Sequence, residues 1–208
     1  LRFSLLAYMV QSSINLDVKR VVGYRQFCNK LWNINKFALK NFPEGFVPEK
    51  EGIKGLKLSL SDKWIITRLS SLVKVTNERF DNFDFGYMAQ GLYDFWQKEL
   101  ADYYLESIKP VMSGDNAEAK KAALNTLYIC LDFSLKMLHP SMPYLTEELY
   151  QRLPHRKGEA FESICIATFP ETLASFEKEN VEDHVAQLQL VVTKCRSQMA
   201  ALNIGTKD

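Results

Sequence analysis

The stretch Ile14-Asn-Leu-Asp-Val-Lys-Arg-Val-Val-Gly-Tyr-Arg-Gln-Phe-Cys-Asn-Lys-Leu-Trp-Asn33 mixes amide, basic and aromatic residues at helical spacing. Asp17 is an acceptor for free backbone N–H groups, so we expect it to be the N-cap of a long helix from about Val18 to Leu39. The apolar residues of this segment recur on one side of such a helix, and they are Val21, Val22, Phe27, Leu31, Ile34 and Ala38. The stretch therefore predicts an amphipathic helix that packs against other elements.

The rest of the chain predicts further helices on both sides of this one. Leu1 to Met9 reads as the end of a helix, and 10–16 as an extended connector. A loop with prolines and glycines follows over 41–58. Helices are then expected from Ser61-Asp62 to about Phe80, from the potential N-cap Asp84 to about Lys109 before Pro110, and over about 117–138, 143–153 and 181–202. Residues 162–168 are expected to form a short strand or an extended arm.

Together these elements indicate an all-α protein, an antiparallel helical bundle with short extended connectors. The aromatic residues of the third long helix are interpreted as core, because they recur at spacings of three and four; they include Tyr93, Phe95, Trp96 and Tyr103. Trp32 is likewise expected to be buried.

Composition excludes several classes of protein. The 208 residues are 47% hydrophobic and 12% aromatic, which argues against disorder. Net charge is only +1, so contact with nucleic acid has to come from a local basic patch. No apolar run reaches the length of about 18 residues that a membrane span needs. The four cysteines form no CxxC pair, which favours reduced intracellular thiols over disulfides or a metal site.

No catalytic constellation stands out in the sequence. Gly52 and Gly55 lack the following lysine and hydroxyl residue of a phosphate-binding loop. The histidines have no zinc-binding spacing, and His139 before Pro140 is interpreted as the end of a helix rather than as a ligand. The adjacent carboxylates at 147 and 148 suit the first turn of a helix. We therefore expect no catalytic residue, no metal and no cofactor within this chain.

The first long helix is different, because it carries a basic series with few acidic residues between 18 and 42. The basic residues are Lys19, Arg20, Arg25, Lys30, Lys36 and Lys40, with Asn29, Asn33 and Asn35 between them. Lys19, Lys30 and Phe37 are separated by 11 and 7 residues, close to whole helical turns, and so lie near one face. A solvated charged face is the alternative, although such faces usually intermix the two signs.

A cationic strip with amides and one aromatic residue suits single-stranded RNA. Lysines bind phosphates or base acceptors, amides read Watson–Crick edges, and an aromatic ring stacks on a base. Arg20, Arg25, Asn33 and Lys36 are the candidates for contacts with an RNA backbone.

Several segments resemble the valyl-tRNA synthetases, which belong to class Ia of the aminoacyl-tRNA synthetases. The residues that carry the resemblance are Leu1-Arg2-Phe3, Ile14-Asn15-Leu16-Asp17-Val18, Phe27-Cys28-Asn29-Lys30-Leu31-Trp32-Asn33, Phe37-Ala38-Leu39, Asp102-Tyr103-Tyr104-Leu105-Glu106 with Lys109-Pro110, and Leu138-His139-Pro140-Ser141-Met142-Pro143-Tyr144-Leu145-Thr146-Glu147-Glu148-Leu149-Tyr150. The resemblance covers residues 1–156 well and the last helix loosely.

The resemblance implies a division of the chain. Residues 1–16 would be the end of a stem-contact region with its connector. Residues 17–156 would form the anticodon-binding bundle of the class Ia type. Residues 157–208 would be a C-terminal arm and a last helix that packs on the bundle. The catalytic and editing elements of the family have no counterpart here, so the chain itself would not be catalytic.

The resemblance also implies a function and a set of site residues. A full-length enzyme of this family activates valine with ATP and magnesium and attaches it to valine tRNA. Valine codons begin with GU, so the middle and third anticodon bases are A and C, and Lys19, Lys30, Phe37 and Leu105 would face them. The implied partners are valine tRNA and the rest of the synthetase chain, with no membrane, in a monomer. The implied location is the cytoplasm, with an organelle as the alternative.

Other interpretations stay open at this point. The same module could come from an isoleucyl- or leucyl-tRNA synthetase, although the Asn-Lys-Leu-Trp-Asn element over 29–33 favours valine. A helical protein-interaction scaffold without any RNA role is an alternative from another class. A stand-alone enzyme is the least favoured.

Overall fold

The structure, a computed structural model, describes residues 1–10, 17–49, 52–156, 162–171, 173 and 179–202, except for the side chain of Arg20. Most of the predicted connector, 11–16, lies outside the described residues. Within the described ranges the secondary structure is helical and contains no strand, which confirms the all-α prediction. No described helix is long and apolar enough to cross a membrane.

Eight α-helices follow one another along the described chain. Their bounds are α1 (Arg2–Tyr8), α2 (Val18–Asn41), α3 (Leu60–Asp81), α4 (Phe85–Asp94), α5 (Glu106–Ser113), α6 (Ala117–Leu138), α7 (Pro143–Gln151) and α8 (Val181–Ala201). A π-helical segment (Phe95–Leu105) joins α4 to α5, and a 3-10 turn (Ile164–Ile166) follows α7. Helix α3 packs against α4, α6, α8 and the π-helical segment, so it lies at the centre of the bundle.

The helix starts follow the local capping chemistry. The Asp17 carboxylate accepts the backbone N–H of residue 19, which confirms its predicted role as an N-cap. Helix α3 starts slightly earlier than expected, because Ser59 and Asp62 form a reciprocal capping box around its first turn. Asp84 precedes α4 but makes no side-chain cap; its carboxylate instead forms an ion pair with Arg79 at 2.7 Å. Asp84 is therefore the N-cap residue of α4 by position, as predicted, but its side chain makes no capping hydrogen bond.

The expectation that the third long helix ends before Pro110 is also wrong. The helical path runs through α4, the π-helical segment and α5 without interruption, and Pro110 lies inside α5. Proline removes one helical N–H group and leaves the carbonyl four residues earlier without its partner. Both Glu106 and Pro110 are exposed, so water can bind that carbonyl, and the helix continues to Ser113.

One hydrophobic core contains most of the aromatic residues that were predicted to be buried. Phe95 and Trp96 are almost fully buried, whereas Tyr93 and Tyr103 are half-buried at its edge. Gly86 allows α4 to approach the end of α1, because a Cβ atom at this position would lie 2.6 Å from a backbone nitrogen. The prediction of a helical bundle around a shared hydrophobic core is thus confirmed.

Trp32 does not belong to the core, and the prediction that it is buried is wrong. Its side chain is 39% exposed. On a helix, residues one position apart differ by about 100° around the axis, so the buried Leu31 directs its neighbour away from the core. The guanidinium of Arg152 lies 5.4 Å from the centre of the Trp32 ring and covers one of its faces.

The segment after α7 forms an arm along the bundle. Its peptide carbonyls accept hydrogen bonds from α3, from Ser70 Oγ to residue 173 (2.9 Å) and from Asn77 Nδ2 to residue 170 (3.3 Å). The Phe169 ring packs edge-on against Phe80. The alternative of a short strand over 162–168 is wrong, whereas the alternative of an arm agrees with these contacts.

The buried residues of helix α8 lie in its first two turns. Val181 and Val185 are buried, and Glu182 forms an ion pair with Arg68 of α3 at 3.0 Å. Arg68 also binds Glu99 of the π-helical segment, and these two carboxylates raise the pKa of its guanidinium further above its usual range. Apart from these two valines and the half-buried Met199, the residues of α8 are exposed.

Candidate nucleic-acid interface

Helix α2 has one buried face and one open face. Phe27, Leu31, Ile34 and Ala38 are buried in the core. The opposite face carries exposed basic and amide residues, namely Arg25, Asn29, Asn33, Lys36 and Lys40. Val22 is exposed as well, so its predicted place in the apolar stripe is wrong. The buried stripe therefore fixes the direction in which the basic series points, and that direction is toward solvent.

Most of this basic series has no acidic partner. Among the described residues, Lys19, Arg25, Lys36 and Lys40 take part in no salt bridge. Their charges are consequently not neutralised within the described part of the protein. A local cationic surface is what a chain of net charge +1 needs if it is to attract a polyanion. Arg20 belongs to the predicted series, but its side chain lies outside the described residues.

Lys30 lies at the edge of this surface and has a partner. Its ammonium nitrogen is 2.8 Å from a carboxylate oxygen of Asp102 in the π-helical segment, and both side chains are accessible to solvent. The pair places a hydrogen-bond donor and an acceptor next to each other on the surface. Long π-helical stretches are rare, and π-helical geometry is frequent at functional sites.

The four residues predicted to face anticodon bases have different surroundings. Lys30 and Phe37 are both half-buried on one side of α2, about 10 Å apart along its axis. Lys19 is exposed and lies about 16 Å from Lys30 in the opposite direction along the axis. Leu105, at the end of the π-helical segment, is only 7% exposed and belongs to the core. Little of its side chain is available to a base.

A second feature of this surface escaped the sequence interpretation. A cleft of about 240 Å³ lies between α2 and α7, lined by Trp32, Asn35, Lys36, Leu39, Leu149 and Arg152. The Asn35 amide donates to the Leu31 carbonyl (2.9 Å), while its side-chain oxygen is buried and has no hydrogen-bond partner among the described residues. The cleft thus combines an aromatic ring, two cations and an amide acceptor. The spacing of Trp32 and Lys36, four residues apart, was the signal in the sequence.

His139 ends helix α6, as predicted from the proline that follows it. The structure also brings its ring within 4.8 Å of potential ligand atoms of Glu147 and Cys165. These two residues were not grouped with it in the sequence interpretation, because 26 positions separate the histidine from the cysteine.

Comparison with known proteins agrees with this geometry. The family model for the anticodon-binding domain of tRNA ligase matches residues 62–208. The chain is 45% identical over 206 residues to the valine–tRNA ligase of Homo sapiens, an alignment that covers 98% of the chain and 16% of the relative. It is 40% identical over 210 residues to the mitochondrial valine–tRNA ligase 1 of Arabidopsis thaliana, covering 99% and 18%. The mitochondrial valine–tRNA ligase of Saccharomyces cerevisiae is 37% identical over 206 residues, covering 98% and 18%.

These similarities confirm the resemblance that the sequence motifs indicated. The chain spans less than a fifth of the length of these relatives. The family model covers most of the chain and begins within α3, whereas the relatives also align with α2 and its basic face. The chain belongs to the family of anticodon-binding domains of tRNA ligases.

Proposed function

We propose that this chain is the part of a valine–tRNA ligase that reads the anticodon of valine tRNA. The observation that carries the proposal is the open face of α2, where basic residues without a salt-bridge partner in the described part of the chain alternate with amides. Unpaired cations bind phosphates by releasing counterions from the RNA, and amides and aromatic rings bind unstacked bases. The similarity to proteins named valine–tRNA ligases supports the choice of tRNA.

The site residues are proposed to act at two levels. Arg25, Asn33 and Lys36 on the open face, together with Arg20, contact the RNA backbone and fix its position. Lys19, Lys30 and Phe37 then face the anticodon bases, where the ammonium groups bind base acceptors and the ring stacks. Leu105 is almost fully buried in the core, so its proposed part is to pack the π-helical segment that carries Asp102 rather than to touch a base.

Asp102 is an addition to the set predicted from the sequence. A carboxylate accepts hydrogen bonds from an exocyclic amino group, as on cytosine, and lysine donates to base acceptors. The middle and third anticodon bases of valine tRNA, A and C, both carry such an amino group. Lys30 and Asp102 together therefore offer a matching donor and acceptor at one place on the surface.

The activity of the full-length protein belongs to the same proposal. It would activate valine with ATP and magnesium and attach it to valine tRNA, through elements that this chain does not contain. The remainder of that ligase is the partner of this domain, and the protein acts as a monomer. We propose the cytoplasm as its location, with an organelle as the alternative because some relatives are named mitochondrial.

Direct binding to tRNA transcripts tests the proposal. Fluorescence anisotropy would compare valine tRNA, isoleucine tRNA and a valine tRNA with an exchanged anticodon, each at about 50 mM and about 200 mM salt. We expect tighter binding to the valine transcript and loss of this preference when its anticodon changes. Affinity should also fall steeply with salt, because phosphate contacts release counterions.

The same experiment separates the alternatives. A preference for isoleucine tRNA would indicate a module of another class Ia enzyme. Equal binding to all three transcripts would leave a basic surface without anticodon specificity. The absence of binding at low salt would contradict RNA recognition by this chain and would favour a protein-interaction scaffold.

A further inference from the structure

Three potential metal ligands meet where α6 ends and the arm crosses α7. His139 Nε2 lies 3.1 Å from Cys165 Sγ, and the ligand atoms of His139, Glu147 and Cys165 all lie within 4.8 Å of one another. In a tetrahedral zinc site with ordinary bond lengths, neighbouring nitrogen and sulfur ligands are about 3.5 Å apart. If these two atoms moved apart by a few tenths of an ångström, a metal ion would therefore fit between them.

The hydrogen bonds of His139 prepare its ring for a metal. Its Nδ1 lies 2.8 Å from the Thr146 hydroxyl, whose oxygen is also 3.0 Å from the carbonyl of Met142. With the hydroxyl proton donated to this carbonyl, Nδ1 carries the ring proton and donates to Thr146, and Nε2 presents its lone pair toward Cys165. This is the tautomer that metal binding through Nε2 requires. Metal-binding histidines are oriented by this kind of outer hydrogen bond.

Glu147 is held in place and retains acceptor capacity. One carboxylate oxygen accepts from the Ser163 hydroxyl (2.6 Å) and the Ile164 amide (3.2 Å), and the other accepts from Gln151 Nε2 (2.8 Å). These three bonds use three of the approximately four lone pairs of a carboxylate. The remaining lone pair is on the oxygen that binds Gln151, and it can serve as a metal ligand.

We propose that His139, Glu147 and Cys165 bind one zinc ion. An imidazole nitrogen, a thiolate and a carboxylate are all zinc ligands, and a thiolate selects against magnesium and calcium. On binding, the Cys165 thiol loses its proton to solvent, and a sulfur–metal bond replaces the S–H group. Water completes the fourth position, which is accessible because Cys165 is exposed.

The ion would link three parts of the chain. His139 ends α6, Glu147 belongs to α7, and Cys165 lies in the 3-10 turn of the arm. A metal that binds the folded arrangement more tightly than the unfolded chain raises the melting temperature. The role is structural, and it does not depend on the proposed recognition of tRNA.

Cobalt and zinc titrations of the reduced, metal-free chain test the site. Cobalt bound to a thiolate gives an absorption band from sulfur-to-metal charge transfer, which identifies cysteine as a ligand. We expect this band to saturate at one equivalent, and zinc to displace the cobalt and raise the melting temperature. Cys165→Ser should abolish the band and weaken zinc binding by more than about tenfold, the loss that even outer substitutions can cause.

Two further variants make the result unambiguous. His139→Asn keeps an amide donor near the place of Nδ1 for Thr146 but removes Nε2, so it should also weaken zinc binding by more than about tenfold. Cys195→Ser is the matched control, because Cys195 is an exposed thiol on α8 that belongs to no group of potential metal ligands among the described residues. It should bind zinc as the parent does. The absence of the charge-transfer band in the parent, or its persistence in Cys165→Ser, would overturn the proposal.

Discussion

Lys30 Nζ lies 2.8 Å from Asp102 Oδ1, and this ion pair connects the basic face of α2 to the π-helical segment. Both side chains remain accessible to solvent, so the pair contributes about 1 kcal/mol or less to stability. The pair orients the one lysine of the series that has an acidic partner among the described residues, so under the proposed function we expect it to affect recognition more than stability. Its two groups can be tested separately by substitution.

Lys30→Ala should weaken binding to valine tRNA and leave the fold intact. Removing one cation that contacts a phosphate or base acceptor lowers the salt dependence of binding by about 0.7 to 1 in the logarithmic slope. The melting temperature should change little, since a solvent-exposed ion pair is weak. Anisotropy at several salt concentrations, together with thermal unfolding, checks both statements. Unchanged affinity would remove Lys30 from the site.

Asp102→Asn tests the other member of the ion pair with Lys30. The change releases the Lys30 ammonium while it keeps a carbonyl acceptor at the same place. If phosphate contact dominates, affinity for every transcript should rise. If the carboxylate accepts a base amino group, the preference for the native anticodon should fall by about 1–3 kcal/mol. Comparing native and exchanged anticodons distinguishes these results, and no change in either quantity would contradict a role for Asp102.

Phe37→Leu should separate stacking from packing. The half-buried ring packs against the core, so Phe37→Ala would lower stability as well as remove a stacking surface. Leucine retains apolar contact and loses the aromatic face. We expect a loss of about 1–3 kcal/mol in RNA binding, with most of the stability retained. Equal RNA affinity for Phe37→Leu and the parent would show that this ring serves the core alone.

Trp32 and Arg152 should bind RNA together if the cleft between α2 and α7 belongs to the interface. Trp32→Ala then removes a stacking ring and should weaken binding by about 1–3 kcal/mol. Arg152→Gln should reduce both affinity and its salt dependence. Trp96→Ala is the matched control for stability: Trp96 is fully buried, so its truncation should cost about 3–5 kcal/mol of unfolding free energy. A similar cost for Trp32→Ala would contradict its surface position.

The periodicity of the sequence predicted the helices and most of the core. It failed where a neighbour in three dimensions decides the outcome. Trp32 was expected to be buried against other helices, but its angular position places it outside the stripe of Phe27, Leu31, Ile34 and Ala38. Pro110 was expected to end a helix, yet its exposure on α5 allows the helix to continue.

The candidate site was predicted only in part, because several of its contacts join residues that are far apart in the sequence. The basic series on α2 is a local pattern, so its shared exposed face could be predicted from spacing. The partner of Lys30 is 72 residues away, and the Trp32 ring is covered by Arg152, the residue that follows α7, so neither contact has a local signal. Leu105 carries the family motif at its position, but only the packing of the π-helical segment shows that its side chain is buried.

Tyr104 and Asp62 provide a test of the core that does not involve RNA. The Tyr104 hydroxyl is fully buried, and it donates its single proton to the Asp62 carboxylate at 2.7 Å. Burial is the main reason why the pKa of this hydroxyl is well above its usual range, so it remains a donor at any ordinary pH. The same carboxylate accepts two hydrogen bonds from Ser59 in the capping box of α3. The tyrosine thus connects the π-helical segment to the start of the central helix.

Tyr104→Phe should lower the unfolding free energy by about 1–3 kcal/mol, because it leaves a buried carboxylate oxygen without its donor. Chemical denaturation measures this loss. Tyr103→Phe is the matched control, because Tyr103 precedes Tyr104 in the sequence but is only half-buried. Removing its hydroxyl leaves a smaller desolvation cost, so the unfolding free energy should change by less than about 1 kcal/mol. Equal losses in the two variants would show that the Tyr104–Asp62 hydrogen bond has no special part in stabilising the start of α3.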